Sequence, residues 1–158
     1  MKKIFCNILF MLGIGLLPAI AQEQALVTDA KVTFFTPANM DDKDANTQIT
    51  ATLYTAMGRK VAMLEKCCGN IRYPDANYTS STYQLSMRNT ISKSEVQSGY
   101  FEVHIDPVGN DRWIFIPTFQ IYFSDGTKVT IKGVDETTPY TRREVSQHAP
   151  DTCFPFHL

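Results

Sequence analysis

Oxygen-bearing side chains crowd the connector at residues 39–46, NMDDKDAN, which carries Asp41, Asp42, Asp44 and Asn46. Asp42, Asp44 and Asn46 fall at alternating positions, the arrangement with which a bending loop surrounds calcium, a hard cation that takes about six to eight oxygens. The segment is not an EF-hand, since Thr47 stands where that loop needs glycine and Leu53 where it needs a bidentate glutamate. A second oxygen-rich turn runs from Asp106 to Asn110 and Asp111, and a third stands at Asp125; both are candidates to meet the first at one end of a sheet fold. Asp, Asn and Gly are also what turns are ordinarily made from. Two readings therefore stand side by side: a calcium site built from Asp42, Asp44, Asn46 and Asp111, or solvated turns. Asp41 and Asn110 flank the same loops and are the expected ligand contacts.

Other chemistry is sparse. His104, His148 and His157 show no paired spacing for zinc and no H-E-x-x-H, and read as surface residues. No G-x-S-x-G, no glycine-flanked serine beside a base and no glycine-rich phosphate loop is present. Scattered acids such as Glu102 and Asp106 form no recognisable acid/base pair. An enzyme is disfavoured by these omissions. Tyr73, Tyr78 and Tyr100 lie outside the most regular stretches, where aromatic rings can stack on sugars or dip into a lipid interface; Tyr73 and Tyr78 are taken as binding candidates. Trp113 belongs to an apolar stripe and is expected in the core.

Address and redox state come from the N-terminus and the cysteines. Met1-Lys2-Lys3, an apolar run over residues 4–17 and Pro18-Ala19-Ile20-Ala21 make a secretory signal, with cleavage expected after Ala21. The run is shorter than the ~20 residues of a membrane span, and Cys6 lies inside it instead of after the small residues, so neither an anchor nor a lipoprotein is expected. The product would be secreted or periplasmic. Loss of Lys2 and Lys3 leaves 13 of the 15 basic residues against 16 acidic ones, a balance of −3, which offers nucleic acid or anionic lipid no attraction. Cys67, Cys68 and Cys153 remain. Neighbouring cysteines seldom bond each other, so Cys153 is expected to pair with Cys67 or Cys68 (Cys68 preferred), stapling the tail to the mid-chain loop.

The elements that must position these groups are strands. In WIFIPTFQIYFS, residues 113–124, Trp113, Phe115, Pro117, Phe119, Ile121 and Phe123 share one face because side chains alternate along a strand. Ser124-Asp125-Gly126-Thr127 then turns it into residues 128–132. Further strands are expected over residues 25–36, 48–56, 59–65, 82–88 and 100–106, with Phe101, Val103 and Ile105 inward and Glu102, His104 and Asp106 outward. Tyr83, Leu85 and Met87 are expected to share a side. Ser92 and Glu95 have capping-box spacing, but Gly99 leaves room for one or two helical turns at most. Residues 66–81 read as a long loop and residues 133–158 as a tail with a short edge strand near 142–146. The chain is thus a signal peptide, residues 1–21, followed by one domain, residues 22–158. The fold class is all-β, an antiparallel sandwich of about seven to eight strands, with a closed barrel as the competing architecture.

Two stretches carry a family resemblance. DKDANTQITATLYTAMGRK, residues 42–60, resembles the opening of PLAT (lipoxygenase-homology) domains, and HIDPVGNDRWIFIPTFQIYFSDG, residues 104–126, is similar to a later PLAT stretch, in the same order. The resemblance implies an eight-stranded sandwich that binds lipid surfaces or protein partners, often with calcium at a loop like residues 42–46. The cysteine loop and the tail beyond Gly133 have no counterpart in it. Together these features lead to an exported, non-enzymatic binding module for a protein, glycan or lipid ligand, assisted by calcium if the acidic loop holds it. A small secreted hydrolase or hydrolase accessory, and an inhibitor or structural envelope protein, are the alternatives.

Overall fold

The computed structural model describes residues 24–108, 111–133, 143–146 and 151–158. The expected signal segment, Asn110 and His148 lie outside the described residues.

Among the described residues ten strands build the fold: β1 (Val27–Thr36), β2 (Gln48–Thr55), β3 (Lys60–Cys67), β4 (Tyr78–Thr79), β5 (Tyr83–Met87), β6 (Ser98–Asp106), β7 (Arg112–Phe123), β8 (Lys128–Lys132), β9 (Arg143–Ser146) and β10 (Asp151–His157). All pairings are antiparallel, and the hydrogen-bonded path runs β10-β6-β2-β3-β5-β1-β7-β8, with β4 on β1 and β9 on β7. One corner is β5. Its first residues pair with β1 (Ala30 opposite Leu85), and its last pair with β3 (Met63 opposite Ser86). On the other side β9 extends from β7 and lies against β10 and β6. The result is a nearly closed, two-layered antiparallel sheet, between sandwich and barrel.

The period-two pattern of β7 holds throughout: Trp113, Phe115, Pro117, Phe119, Ile121 and Phe123 are buried and the residues between them are half-buried. β6 likewise turns Phe101, Val103 and Ile105 inward. Phe101 and Phe119 meet across the layers with ring centres 3.8 Å apart. Phe34, Trp113, Phe115 and Tyr73 form a second aromatic cluster, in which the Trp113 indole N–H donates to the Thr36 hydroxyl at 3.0 Å. Two rings at this spacing contribute beyond simple burial, by about 0.5–1.5 kcal/mol a pair. Ser92 and Glu95 exchange the expected capping-box bonds, but they close only a turn.

Three expectations change. The tail is not loose: β10 pairs with β6 along its whole length and buries Phe154. Phe154 and Phe156 alternate with Cys153, Pro155 and His157, and the proline is accommodated because β10 ends the sheet path, where a missing N–H interrupts no ladder. Tyr83, Leu85 and Met87 do not share a buried face, since Met87 is 37 % exposed where β5 turns the corner. The staple from Cys153 is replaced by a bond between Cys67 and Cys68 themselves. Two strands, β6 and β2, separate β10 from β3. Three strand spacings of about 4.8 Å put them roughly 14 Å apart, beyond the ~7 Å within which a disulfide can close.

Candidate functional site

At the end of the sheet where β1 exits, the connector to β2 folds over the mouth of the aromatic cluster. Its central residue, Lys43, is fully buried. The Lys43 ammonium donates to the carbonyl oxygens of Asp44 at 2.8 Å, Cys68 at 3.0 Å and Ile71 at 2.8 Å. It also lies 5.0 Å from the centre of the Tyr73 ring. The main chains of Lys43 and Tyr73 exchange hydrogen bonds of 3.2 and 3.0 Å, so the connector and the cysteine loop are tied at backbone and side chain alike. Burial lowers the Lys43 pKa to about 8 against the opposing pull of Asp111 and Asp44. Burial pushes the Tyr73 hydroxyl upward, and its bond to the Tyr83 hydroxyl at 2.7 Å adds to the shift.

Above this floor lies an open cleft of about 510 Å³, lined by Asp41, Asp42, Asp44, Asp111 and Arg112. Four of the acids singled out in the sequence therefore come to one place, while Asn46 is exposed beside them without lining the cleft. Three of the four carboxylates that line the walls, those of Asp41, Asp42 and Asp111, are engaged. Arg72 donates to Asp42 and Arg112 to Asp41. Asp111, 7 % exposed, accepts from the Thr47 hydroxyl and from the Asp44 backbone N–H at 3.3 Å. Asp125 stands at the opposite end, near the start of β1. There Thr127 and Lys93 hold it, and bonds from the Thr127 hydroxyl and N–H lower its pKa to about 2.

The donor set for calcium does not assemble. Among the described residues no three acidic, histidine or cysteine side chains converge as metal ligands. Asp42 faces Arg72, Asp111 faces Thr47, and the carbonyl oxygens that would complete a hard-cation shell surround an ammonium instead. The residues present do not fit the metal that the PLAT resemblance implies.

The tyrosines also move. Tyr73 is fully buried, so it supports the floor and offers no surface; Tyr78 is half-buried and stacks on it at 5.4 Å. Their spacing placed them in an irregular loop, but the loop packs onto the core through Lys43. Tyr100 pairs instead with Tyr54, ring centres 4.9 Å apart, on the outward face of β2 and β6. Lys43 is the residue that sequence reasoning missed. A lone lysine among aspartates carries no mark of burial, and its only signal is its place at the centre of an otherwise acidic loop.

A larger open cleft of about 650 Å³ occurs beside Lys93, Asp125 and Leu158, and it borders Gln24, the first described residue. No helix among the described residues is long and apolar enough to cross a membrane. Comparison with known proteins finds no matching family model, no matching curated protein and no matching solved structure.

Proposed function

We propose that the chain is an exported, non-enzymatic binding module that takes a polar ligand, a glycan, in the cleft of Asp41, Asp42, Asp44, Asp111 and Arg112. The observation that carries the proposal is the buried Lys43 cage, which fixes the backbone beneath the cleft so that its side chains are held ready before a ligand arrives. Carboxylates and guanidinium groups side by side supply planar, charge-assisted hydrogen bonds suited to neighbouring hydroxyls. The lining contains no aliphatic side chain to meet a lipid surface, so its hydrogen-bonding groups favour a glycan held through its hydroxyls. The exposed ion pairs at Asp41 and Asp42 are individually weak, about 0–1 kcal/mol, so a ligand can exchange with them at little cost. The leader-like N-terminus and a disulfide both suit an oxidising compartment.

A glycan array probed with the purified protein tests this. Retention of one or more glycans, weakened about tenfold or more by the double substitution Asp41→Asn and Asp42→Asn, is expected, since each lost charge-assisted bond contributes roughly 1.5–3 kcal/mol. Recovered glycan should have unchanged mass after prolonged incubation. Binding that ignores both substitutions would place the ligand elsewhere, and cleavage of the glycan would move the chain to the hydrolase alternative.

A further inference from the structure

The Cys67–Cys68 bridge closes no loop of consequence, because the two residues are adjacent. The constraint a disulfide places on an unfolded chain grows with the length of the loop it closes, so this one contributes little to global stability. Its effect is local. Cys67 ends β3, and Lys66 and Cys68 on either side adopt φ of +45° and +68°, a left-handed conformation that side-chain-bearing residues adopt at a cost. That conformation turns the Cys68 carbonyl inward to the Lys43 ammonium, while the same turn presents Ile71 O to Lys43 and Arg72 to Asp42. Cys67 itself is half-buried and not sealed in the core.

We propose that Cys67–Cys68 is a thiol–disulfide exchange site whose redox state sets whether Lys43 is locked beneath the cleft. A thiolate of an external dithiol attacks one sulfur and forms a mixed disulfide; its second thiol then resolves that bond. The dithiol leaves as a disulfide, and two electrons and two protons pass to the pair, which becomes two thiols. Without the bridge the left-handed residues relax, Cys68 O and Ile71 O withdraw from Lys43, and Arg72 leaves Asp42. Only this last consequence, a change of charge in the cleft, rests on the glycan-binding reading.

The test reads Lys43 and needs no ligand. The Cys153→Ser protein, oxidised or treated with dithiothreitol, is acetylated with a water-soluble active ester and digested, and Lys43 labelling is compared with that of the exposed Lys128 and Lys132. Lys43 should be slow in the oxidised state and at least about fivefold faster after reduction, as expected for local opening of a cooperative unit. Trp113 emission should stay that of a buried indole. The double substitution Cys67→Ser and Cys68→Ser should label like the reduced protein. Equal Lys43 rates in both redox states, two titratable thiols at 67 and 68 before reduction, or loss of the Trp113 signal on reduction would each overturn the proposal.

Discussion

The Lys43 ammonium sits 5.0 Å from the centre of the Tyr73 ring while the backbones of the same two residues hydrogen-bond to each other in both directions. A connector and a cysteine loop that are far apart in sequence are thereby made one body. Lys43→Met keeps most of the side-chain volume but removes the donor, leaving buried carbonyls under-satisfied. A loss of about 2–4 kcal/mol is expected, given roughly 1–3 kcal/mol for each buried polar group left without a partner. Lys43→Ala should lose more, because a cavity is added. Urea denaturation of the two variants checks the order; a near-neutral Lys43→Met would show that the cage is incidental.

With an ammonium already inside the loop, added calcium has no shell to enter. Millimolar calcium should leave the melting midpoint unchanged, whereas a ligand that binds the native state at a hundred times its dissociation constant would add about 2.7 kcal/mol. Thermal melts with calcium and with a chelator make the comparison. A rise with calcium would restore Asp42, Asp44 and Asp111 as metal ligands.

These two outcomes bear on how far the sequence could be read. The alternation in residues 113–124 placed Trp113 and Phe119 inside correctly, because a strand with one buried face writes its burial directly into its residue types. β10 escaped notice because Pro155 and Cys153 interrupt the same signal, though Phe154 and Phe156 carried it. The convergence of Asp41, Asp42, Asp44 and Asp111 was foreshadowed by composition; what neutralises them was not. Arg72 reaches Asp42 from the cysteine loop and Arg112 reaches Asp41 from the start of β7, while Lys43, a neighbour of the acids in sequence, turns its ammonium to backbone carbonyls instead. The Cys67–Cys68 bond was misjudged for a similar reason, since β6 and β2 stand between β3 and β10.

Phe119 is fully buried and lies nearly parallel to Phe101, with an interplanar angle of 8°. Phe119→Ala should cost about 3–5 kcal/mol, the usual range for a deep aromatic truncation. Phe119→Leu should cost markedly less, since it leaves a smaller void. Chemical denaturation monitored by Trp113 fluorescence measures both. Equal effects of the two would mean that the contact between the layers at this point is loose.

His104 contributes to the pH dependence of stability near and above its ordinary pKa. Its Nδ1 meets Asp151 of β10 at 2.6 Å and its Nε2 meets Asp106 at 3.1 Å; Lys66 approaches Asp106 at 3.9 Å. Burial alone would favour the neutral ring, but the bonds and charges of Asp151 and Asp106 outweigh it, and the pKa is raised. A folded-state value above the unfolded one, about 6.5, means that the native state holds the proton more tightly. The stabilisation is therefore complete below about pH 6.5 and disappears as pH rises through the folded-state value. The ring is partly exposed, so the effect should be small and should shrink with salt. Denaturation midpoints across this window should fall with rising pH in the native protein and less in His104→Gln, and amide exchange in β10 should quicken in parallel. A midpoint that climbs through the same window, or a His104→Gln profile as steep as the native one, would mean that His104 does not pin β10 to β6 by charge.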